Sequence, residues 1–320
     1  MSSPNDESPD VTRAEIRRDL RGDPVIVSPG RAGRPYDFRG DQADRRRTCP
    51  FCAGREDQTP PEVDAIRQPG SQPDQPGWSV RVVPNRYPAV PRHAEGQGLW
   101  GLHEVVIETP EHDRSLADLS VEQTADVLRI FERRLRAARS TDGIEYACIF
   151  KNHGPEAGAS LEHSHSQLLA VPFVPRRIAE EAETIRRGEF LRRLREARPV
   201  AESQGLKAFC PPDARMPYEV WIAPVEPAAA FEDAPEELTL QAAEMLHGLL
   251  GAMNAILERP PYHLLLYTAP FAAPDGFHWR IEIAPRMARI AGFELATGVF
   301  VNQTDPARAT EDYRRALGDH

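Results

Sequence analysis

Asn152-His153-Gly154-Pro155-Glu156-Ala157-Gly158-Ala159-Ser160-Leu161-Glu162-His163-Ser164-His165-Ser166-Gln167 is the stretch around which this 320-residue chain is organised. An apolar run over 146–150 leads into it and another over 168–172 leads out, a pattern that predicts strand, loop, strand. Gly154 and Gly158 in the loop let backbone N–H groups approach a ligand closely. His163 and His165 alternate, so in an extended chain they share one face, with Gln167 next along it. Two imidazoles and an amide beside a donor-rich loop suit phosphate chemistry. The same alternation also fits half-buried polar residues of an ordinary strand, and other segments must decide.

Composition sets the limits. Hydrophobic residues make up 40% and charged residues 28%, as in a soluble globular protein long enough for two domains. No run approaches the roughly 20 apolar residues of a membrane helix. Residues 1–12 begin polar and acidic with no apolar signal core, and are read as a disordered tail of a cytoplasmic protein. The net charge of −10 argues against a nucleic-acid binder, though a few placed arginines can still hold phosphates. Two of the four cysteines form Cys49-Pro50-Phe51-Cys52, a zinc half-site that needs two more ligands. The spacing is also that of a redox pair, but no thioredoxin-like pattern surrounds it.

Taken in order, a short strand at 23–28 runs into a Gly/Pro turn bearing Arg31 and Arg34, which is either a diphosphate clamp or solvated loop charge. Residues 67–77 are rich in Pro, Gly and Gln and read as a mobile loop. Strands are expected at 79–83 and 103–109. Ser120 with Gln123 forms a capping box for a helix whose Val127, Leu128, Phe131 and Leu135 recur three and four apart. Residues 176–198 are arginine-rich with interleaved glutamates, which reads as a solvated connecting helix rather than a nucleic-acid face.

The second half repeats the first. His103-Glu104-Val105-Val106-Ile107 matches Tyr218-Glu219-Val220-Trp221-Ile222, an offset of 218 − 103 = 115. Tyr146 is matched with Tyr262, at 262 − 146 = 116, and His163-Ser164-His165 with His278-Trp279-Arg280, at 278 − 163 = 115. A helix over 235–258 lies between, with Leu240, Met245, Leu246, Leu249, Leu250, Met253 and Ile256 on its apolar side. The expected fold class is α+β, two copies of one unit (13–175 and 176–320), each an antiparallel sheet carrying a helix. Copy one keeps the chemistry, and Arg280 stands where copy one has His165.

Ser28-Pro29-Gly30-Arg31-Ala32-Gly33-Arg34-Pro35-Tyr36, Cys49-Pro50-Phe51-Cys52, Pro84-Asn85, Thr109-Pro110-Glu111-His112, the 152–167 stretch and Gly292-Phe293-Glu294 together resemble the galactose-1-phosphate uridylyltransferase family, a branch of the histidine-triad superfamily. The resemblance covers nearly the whole chain. Ser164, where uridylyltransferases have proline, and Gly292-Phe293-Glu294-Leu295-Ala296-Thr297-Gly298 look like the ADP-glucose phosphorylase-like branch. The resemblance implies two histidine-triad-like halves, commonly in a homodimer.

It also implies a chemistry. His165 would be the nucleophile, forming a nucleotidyl-histidine in a ping-pong cycle, because imidazole attacks when neutral and leaves readily. Backbone N–H groups near Gly158 and Ala159, with the side chains of Asn152 and Ser160, would hold phosphate oxygens. Gln167 takes the slot where nucleotide-hydrolysing relatives have a third histidine, which favours transfer over hydrolysis. Arg31 and Arg34 match arginines near the phosphates, Asn85 a residue close to the nucleoside, and Glu294 a carboxylate on sugar hydroxyls. Ala288 and Arg289 stand where uridylyltransferases have a lysine near the sugar.

One structural Zn2+ is implied on Cys49, Cys52, His112 and His163, with His103 as the competitor to His112; the ligands of the family's second metal are mostly absent from copy two. The implied partners are a nucleotide-sugar with a hexose 1-phosphate, or with inorganic phosphate if the enzyme is a phosphorylase. A catalytically silent nucleotide- or zinc-binding protein is the alternative from another class.

Overall fold

A computed structural model describes residues 14–33, 38, 48–92 and 99–318. The expected tail at 1–12 and Arg34 lie outside them.

Strands β1 (Glu15–Arg18) and β2 (Pro24–Val27) form a separate antiparallel pair. The other ten build one sheet: β3 (Asp64–Arg67), β4 (Trp78–Pro84), β5 (Leu102–Ile107), β6 (Tyr146–His153), β7 (His165–Val171), β8 (Pro199–Glu202), β9 (Leu206–Phe209), β10 (Val220–Pro224), β11 (Tyr262–Tyr267) and β12 (Arg280–Pro285). Their order is β3-β4-β5-β7-β6-β11-β12-β10-β9-β8, and every pairing is antiparallel. The strands of copy one therefore lie together, those of copy two lie together, and β6 joins β11 edge to edge.

Helix α1 (Val121–Arg139) starts at the expected capping box, with Ser120 Oγ accepting from the Gln123 amide at 3.2 Å and Gln123 Oε1 from the Ser120 amide at 3.0 Å. Its Val127, Leu128, Phe131 and Leu135 are buried in the main core, as are Leu246, Leu249, Leu250 and Met253 of the helix expected at 235–258. That helix runs Glu236–Leu257; Leu240, expected on its apolar side, instead points to solvent. The long helices cover one face of the sheet by their apolar stripes.

Two further readings change. Residues 176–198 form two helices, α2 (Arg176–Arg186) and α3 (Glu189–Glu196), not one solvated rod. Ile178, Ile185, Phe190 and Leu194 bury a stripe against the other sheet face, while Arg192 and Glu189 pair at the surface. The loop expected to be mobile contains part of β3, and its turn is tied down. Buried Arg81 donates to Asp74 at 2.6 Å and to Glu62 at 3.0 Å, and Arg67 donates to Glu62 at 2.6 Å.

The duplication is visible in register. Phe150 pairs with Gln167 in copy one and Leu265 with Glu282 in copy two, so both strands shift by 265 − 150 = 282 − 167 = 115. The matched offset of 116 for Tyr146 is corrected to 115 by that pairing. Helices α4 (Glu236–Leu257), α5 (Gly292–Thr297) and α6 (Pro306–Leu317) complete the chain. Among the described residues no helix is long and apolar enough to cross a membrane.

Gly101 leads into β5 where the chain passes close to β7. A Cβ built there would collide with the Ala170 carbonyl, a backbone atom that cannot swing away. Gly101→Ala is therefore expected to lower stability by about 1–3 kcal/mol, read as a lower denaturant midpoint; an unchanged midpoint would contradict the close approach.

Candidate active site and metal centre

The odd-numbered residues of β7 and of the segment before it face away from the helix-covered core. His165 opens the strand, with His163 two residues earlier and Gln167 two later, and all three are buried. His165 and Gln167 line a cavity of about 440 Å³, together with Phe51, Asn85, Tyr87 and Ser160. Sequence-predicted Asn85, Ser160, His165 and Gln167 thus meet at one cavity.

His165 Nδ1 donates to the His163 carbonyl at 2.8 Å. In the neutral ring this leaves the lone pair on Nε2, the tautomer a nucleophile requires. Phe51 packs edge-on against both His165 and His163, with ring centroids 5.4 and 6.1 Å apart, so the Cys49–Cys52 turn forms one wall of the site.

Behind Gln167 lies a chain of hydrogen bonds that the sequence did not disclose. His103, weighed above only as a metal ligand, accepts at Nδ1 from the Ala89 amide at 2.8 Å, with Arg31 Nη1 3.3 Å away. Its proton therefore sits on Nε2 and is donated to Gln167 Oε1 at 3.0 Å. Asn85 Nδ2 also donates to Gln167 Oε1, at 3.4 Å, and Asn85 Oδ1 accepts from the Tyr87 amide at 2.9 Å. Arg31 donates to the Tyr87 carbonyl at 2.9 Å, so it reaches the site from behind and does not line the cavity. In the sequence His103 was marked as the competing metal ligand and as the start of the repeated strand; its carbonyl accepts from the Asn85 amide at 2.8 Å.

The remaining expected contacts stand further off. Asn152 lies on β6, and its Oδ1 accepts from His263 Nδ1 at 2.9 Å. Gly158, at φ +82°, closes a turn in which its own amide donates to the Pro155 carbonyl at 2.9 Å. The Ala159 amide donates to the Gly154 carbonyl at 3.1 Å. Both amides are thus engaged within the turn. Glu294 is on the exposed helix α5, accepts from the Ala291 amide at 3.1 Å, and does not line the cavity.

Cys49, Cys52, His112 and His163 converge, with their ligand atoms all within 4.8 Å of one another. His163 Nδ1 is 3.6 Å from Cys49 Sγ and 3.7 Å from Cys52 Sγ, and His112 Nδ1 is 3.5 Å from Cys52 Sγ. A tetrahedral zinc ion places such donors roughly 3.4–3.8 Å apart. His163 Nε2 donates to the Thr109 carbonyl at 2.7 Å, which leaves Nδ1 unprotonated toward the cluster. Burial pushes the His163 imidazole down to about 4, so it is neutral as a metal ligand must be. The donor set fits a closed Cys₂His₂ centre, and His103 stands in the network behind Gln167, not in this cluster.

The family model for the galactose-1-phosphate uridyl transferase N-terminal domain matches residues 91–175. ADP-glucose phosphorylase of Arabidopsis thaliana is 31% identical over 322 residues, covering 90% of this chain and 90% of that protein. Galactose-1-phosphate uridylyltransferase of Thermotoga maritima is 28% identical over 316 residues, covering 91% and 94%. The crystal structure of the Arabidopsis ADP-glucose phosphorylase with bound ADP-glucose superposes with a TM-score of 0.77 at 31% identity, over 94% of this chain and 98% of that one. With its duplicated sheet and the 152–167 motif at the cavity, the chain belongs to the galactose-1-phosphate uridylyltransferase family, carrying motifs of the ADP-glucose phosphorylase-like branch.

Proposed function

We propose that this chain is a nucleotidyltransferase that moves a nucleoside monophosphate from a nucleotide-sugar of the UDP-glucose type to a hexose 1-phosphate, through a covalent intermediate on His165. The observation that carries this reading is the His165 ring at the cavity wall with Nδ1 committed to the His163 carbonyl. Nε2 attacks the α-phosphorus, the bond from that phosphorus to the bridging oxygen breaks, and the sugar phosphate leaves with the electron pair. An acceptor phosphate oxygen then attacks the same phosphorus and the P–N bond breaks, restoring neutral His165.

Ser160 and Gln167 line the cavity and would donate to the phosphate oxygens; Asn85 faces it as a nucleoside contact. Arg31 supplies positive charge from behind His103. Arg34 is proposed as its companion. Asn152, Gly158 and Ala159 are proposed in a supporting place, since the two turn amides reach a phosphate only by exchanging their present partners. Residues 13–175 would form the catalytic unit and 176–320 the supporting one.

A second reading, with an ADP-sugar as donor and inorganic phosphate as acceptor, is favoured by the 31% identity to ADP-glucose phosphorylase over 90% of the chain. The structural zinc would be held by Cys49, Cys52, His112 and His163, tying the 49–52 turn to the segment that precedes the nucleophile. We also propose a homodimer. Met287, Ile290, Phe293, Leu295, Val299 and Val301 are all exposed on the segment that carries Glu294, and a second copy is the partner that would cover them and use Glu294 on sugar hydroxyls.

Intact-mass analysis after mixing with UDP-glucose or ADP-glucose, without acceptor, tests the intermediate. A UMP adduct discharged by galactose 1-phosphate is the outcome expected on the first reading, and an AMP adduct discharged by phosphate on the second. His165→Asn is expected to abolish both adduct and exchange, and wild-type turnover in that variant would sink the assignment. Elemental analysis is expected to find one zinc per chain, lost on Cys52→Ser along with thermal stability; folded wild-type protein free of zinc would contradict it. Sedimentation is expected to give twice the 35.8 kDa chain mass, against a single chain if the exposed 287–301 segment stays uncovered.

A further inference from the structure

On the face of β7 turned away from the cavity, Ser164 and Ser166 flank His165 and both reach one carboxylate. Ser164 Oγ donates to Glu108 Oε2 at 2.6 Å, and Ser166 Oγ donates to Glu108 Oε1 at 2.5 Å. Lys151 of β6 completes the group. Its Nζ donates to Glu108 Oε2 at 2.7 Å, to Ser164 Oγ at 2.9 Å and to the His165 carbonyl at 3.2 Å. All four side chains are buried beneath the sheet.

The backbone explains what this group replaces. The β6–β7 ladder runs from Tyr146↔Val171 to Phe150↔Gln167 and stops there. β6 itself continues to His153, paired with β11 on its other side. His165 therefore lies beyond the last β6–β7 pair, and on the β5 side it stands opposite Ile107. In copy two the corresponding ladder continues through Tyr267↔Arg280, the positions equivalent to Asn152 and His165. At the nucleophile, then, the end of the strand peels away from one neighbour, and the Lys151 ammonium takes the carbonyl beyond the ladder.

The same molecule shows that the fold does not require these charges. At the matching places copy two has Leu266 for Lys151, Trp279 for Ser164 and Ile281 for Ser166, all buried, and β10 ends on Ala223 and Pro224 where Glu108 follows β5. Burying an ion pair is neutral or unfavourable compared with apolar residues of similar size. Its presence only in the copy that carries His165 points to the chemistry, not the core.

Resting on the nucleotidyl-His165 reading, we infer that Lys151, Glu108, Ser164 and Ser166 are positioning residues that fix the backbone of His165 for attack. They touch no substrate and act only through the strand. Loss of this clamp lets the imidazole move relative to the α-phosphorus, and displacement on the scale of 1 Å costs about a hundredfold in rate.

The test replaces the ion pair with the uncharged Glu108→Gln/Lys151→Met pair in the full-length, zinc-loaded protein. It compares the single-turnover rate of His165 nucleotidylation, KM, zinc content and thermal midpoint with wild type, using whichever of UDP-glucose and ADP-glucose labels the wild type. The expected result is a rate lowered about a hundredfold, with KM within about threefold and with zinc content and midpoint retained. A rate within about threefold of wild type in the folded variant overturns the inference. If that variant does not fold, Ser164→Ala/Ser166→Ala decides: a fall of about tenfold at unchanged KM supports the role, and an unchanged rate overturns it. No adduct on the wild type from either sugar would overturn the functional reading and this inference together. A normal adduct with an unaffected variant removes the positioning role alone.

Discussion

The two-residue period of β7 is the constraint on which the site depends. His163, His165 and Gln167 face the metal cluster, the cavity wall and the His103 network in turn. Ser164, Ser166, Leu168 and Ala170 face the other way, the first two into the Lys151–Glu108 group and the others into the core. A slip of one residue would exchange these sets, placing imidazoles in the core and leucine in the cavity. Register is thus fixed from both sides, by apolar burial along the strand and by buried polar bonds at its end. The serine at 164, where uridylyltransferases carry proline, has a physical use here, since its hydroxyl donates to Glu108 and a proline ring has no donor.

Duplication gives the chain its own control. His278 Nε2 donates to the Pro224 carbonyl at 2.8 Å, repeating the bond from His163 to the Thr109 carbonyl. What has diverged is the position that His165 holds in copy one. Arg280 is buried there, its guanidinium 4.1 Å from the Tyr267 ring centre and 4.8 Å from that of Trp221, and ion-paired with Glu282 at 2.8 Å. Burial opposes its charge, but the Glu282 and Glu181 carboxylates outweigh that and raise its pKa. A permanently charged, ion-paired side chain of this kind cannot attack phosphorus. Copy two has filled the matching position with a buried cation that packs against Tyr267 and Trp221.

Local signals were legible from the sequence, and long-range polar pairing was not. The Ser120 cap and the apolar stripes of α1 and α4 are short-range patterns, so they were read almost in full. The convergence of Cys49, Cys52, His112 and His163 and the place of His165 at the cavity were legible because a motif compresses distant residues into recognisable pieces. The ties between Arg81, Glu62 and Asp74 that hold the 68–77 turn depend on tertiary proximity, and a Pro/Gly-rich composition gave no hint of them. The same holds for Lys151. It sits in a strand that reads as simply apolar, and its partner Glu108 is 43 residues away. The Gly158 and Ala159 amides were read as donors to a ligand because glycine loops often serve so, whereas here the turn uses them to close itself.

The orientation of Gln167 connects these observations to the choice between transfer and hydrolysis. Ala89 and Arg31 present donors to His103 Nδ1, so the His103 proton is on Nε2 and Gln167 must offer its oxygen to it. Asn85 donates to the same oxygen. The acceptor end of Gln167 is therefore spent, and the end it can present at the cavity is its NH₂ group. On the proposed reaction, two amide hydrogens there can hold the oxygens of a phosphate throughout the cycle. They cannot remove a proton from water, since an amide nitrogen has no basic lone pair. A phosphate acceptor arrives with its attacking oxygen already anionic and needs no such help. The His103 network thus favours transfer to a phosphate over loss of the intermediate to water, through hydrogen-bond direction alone.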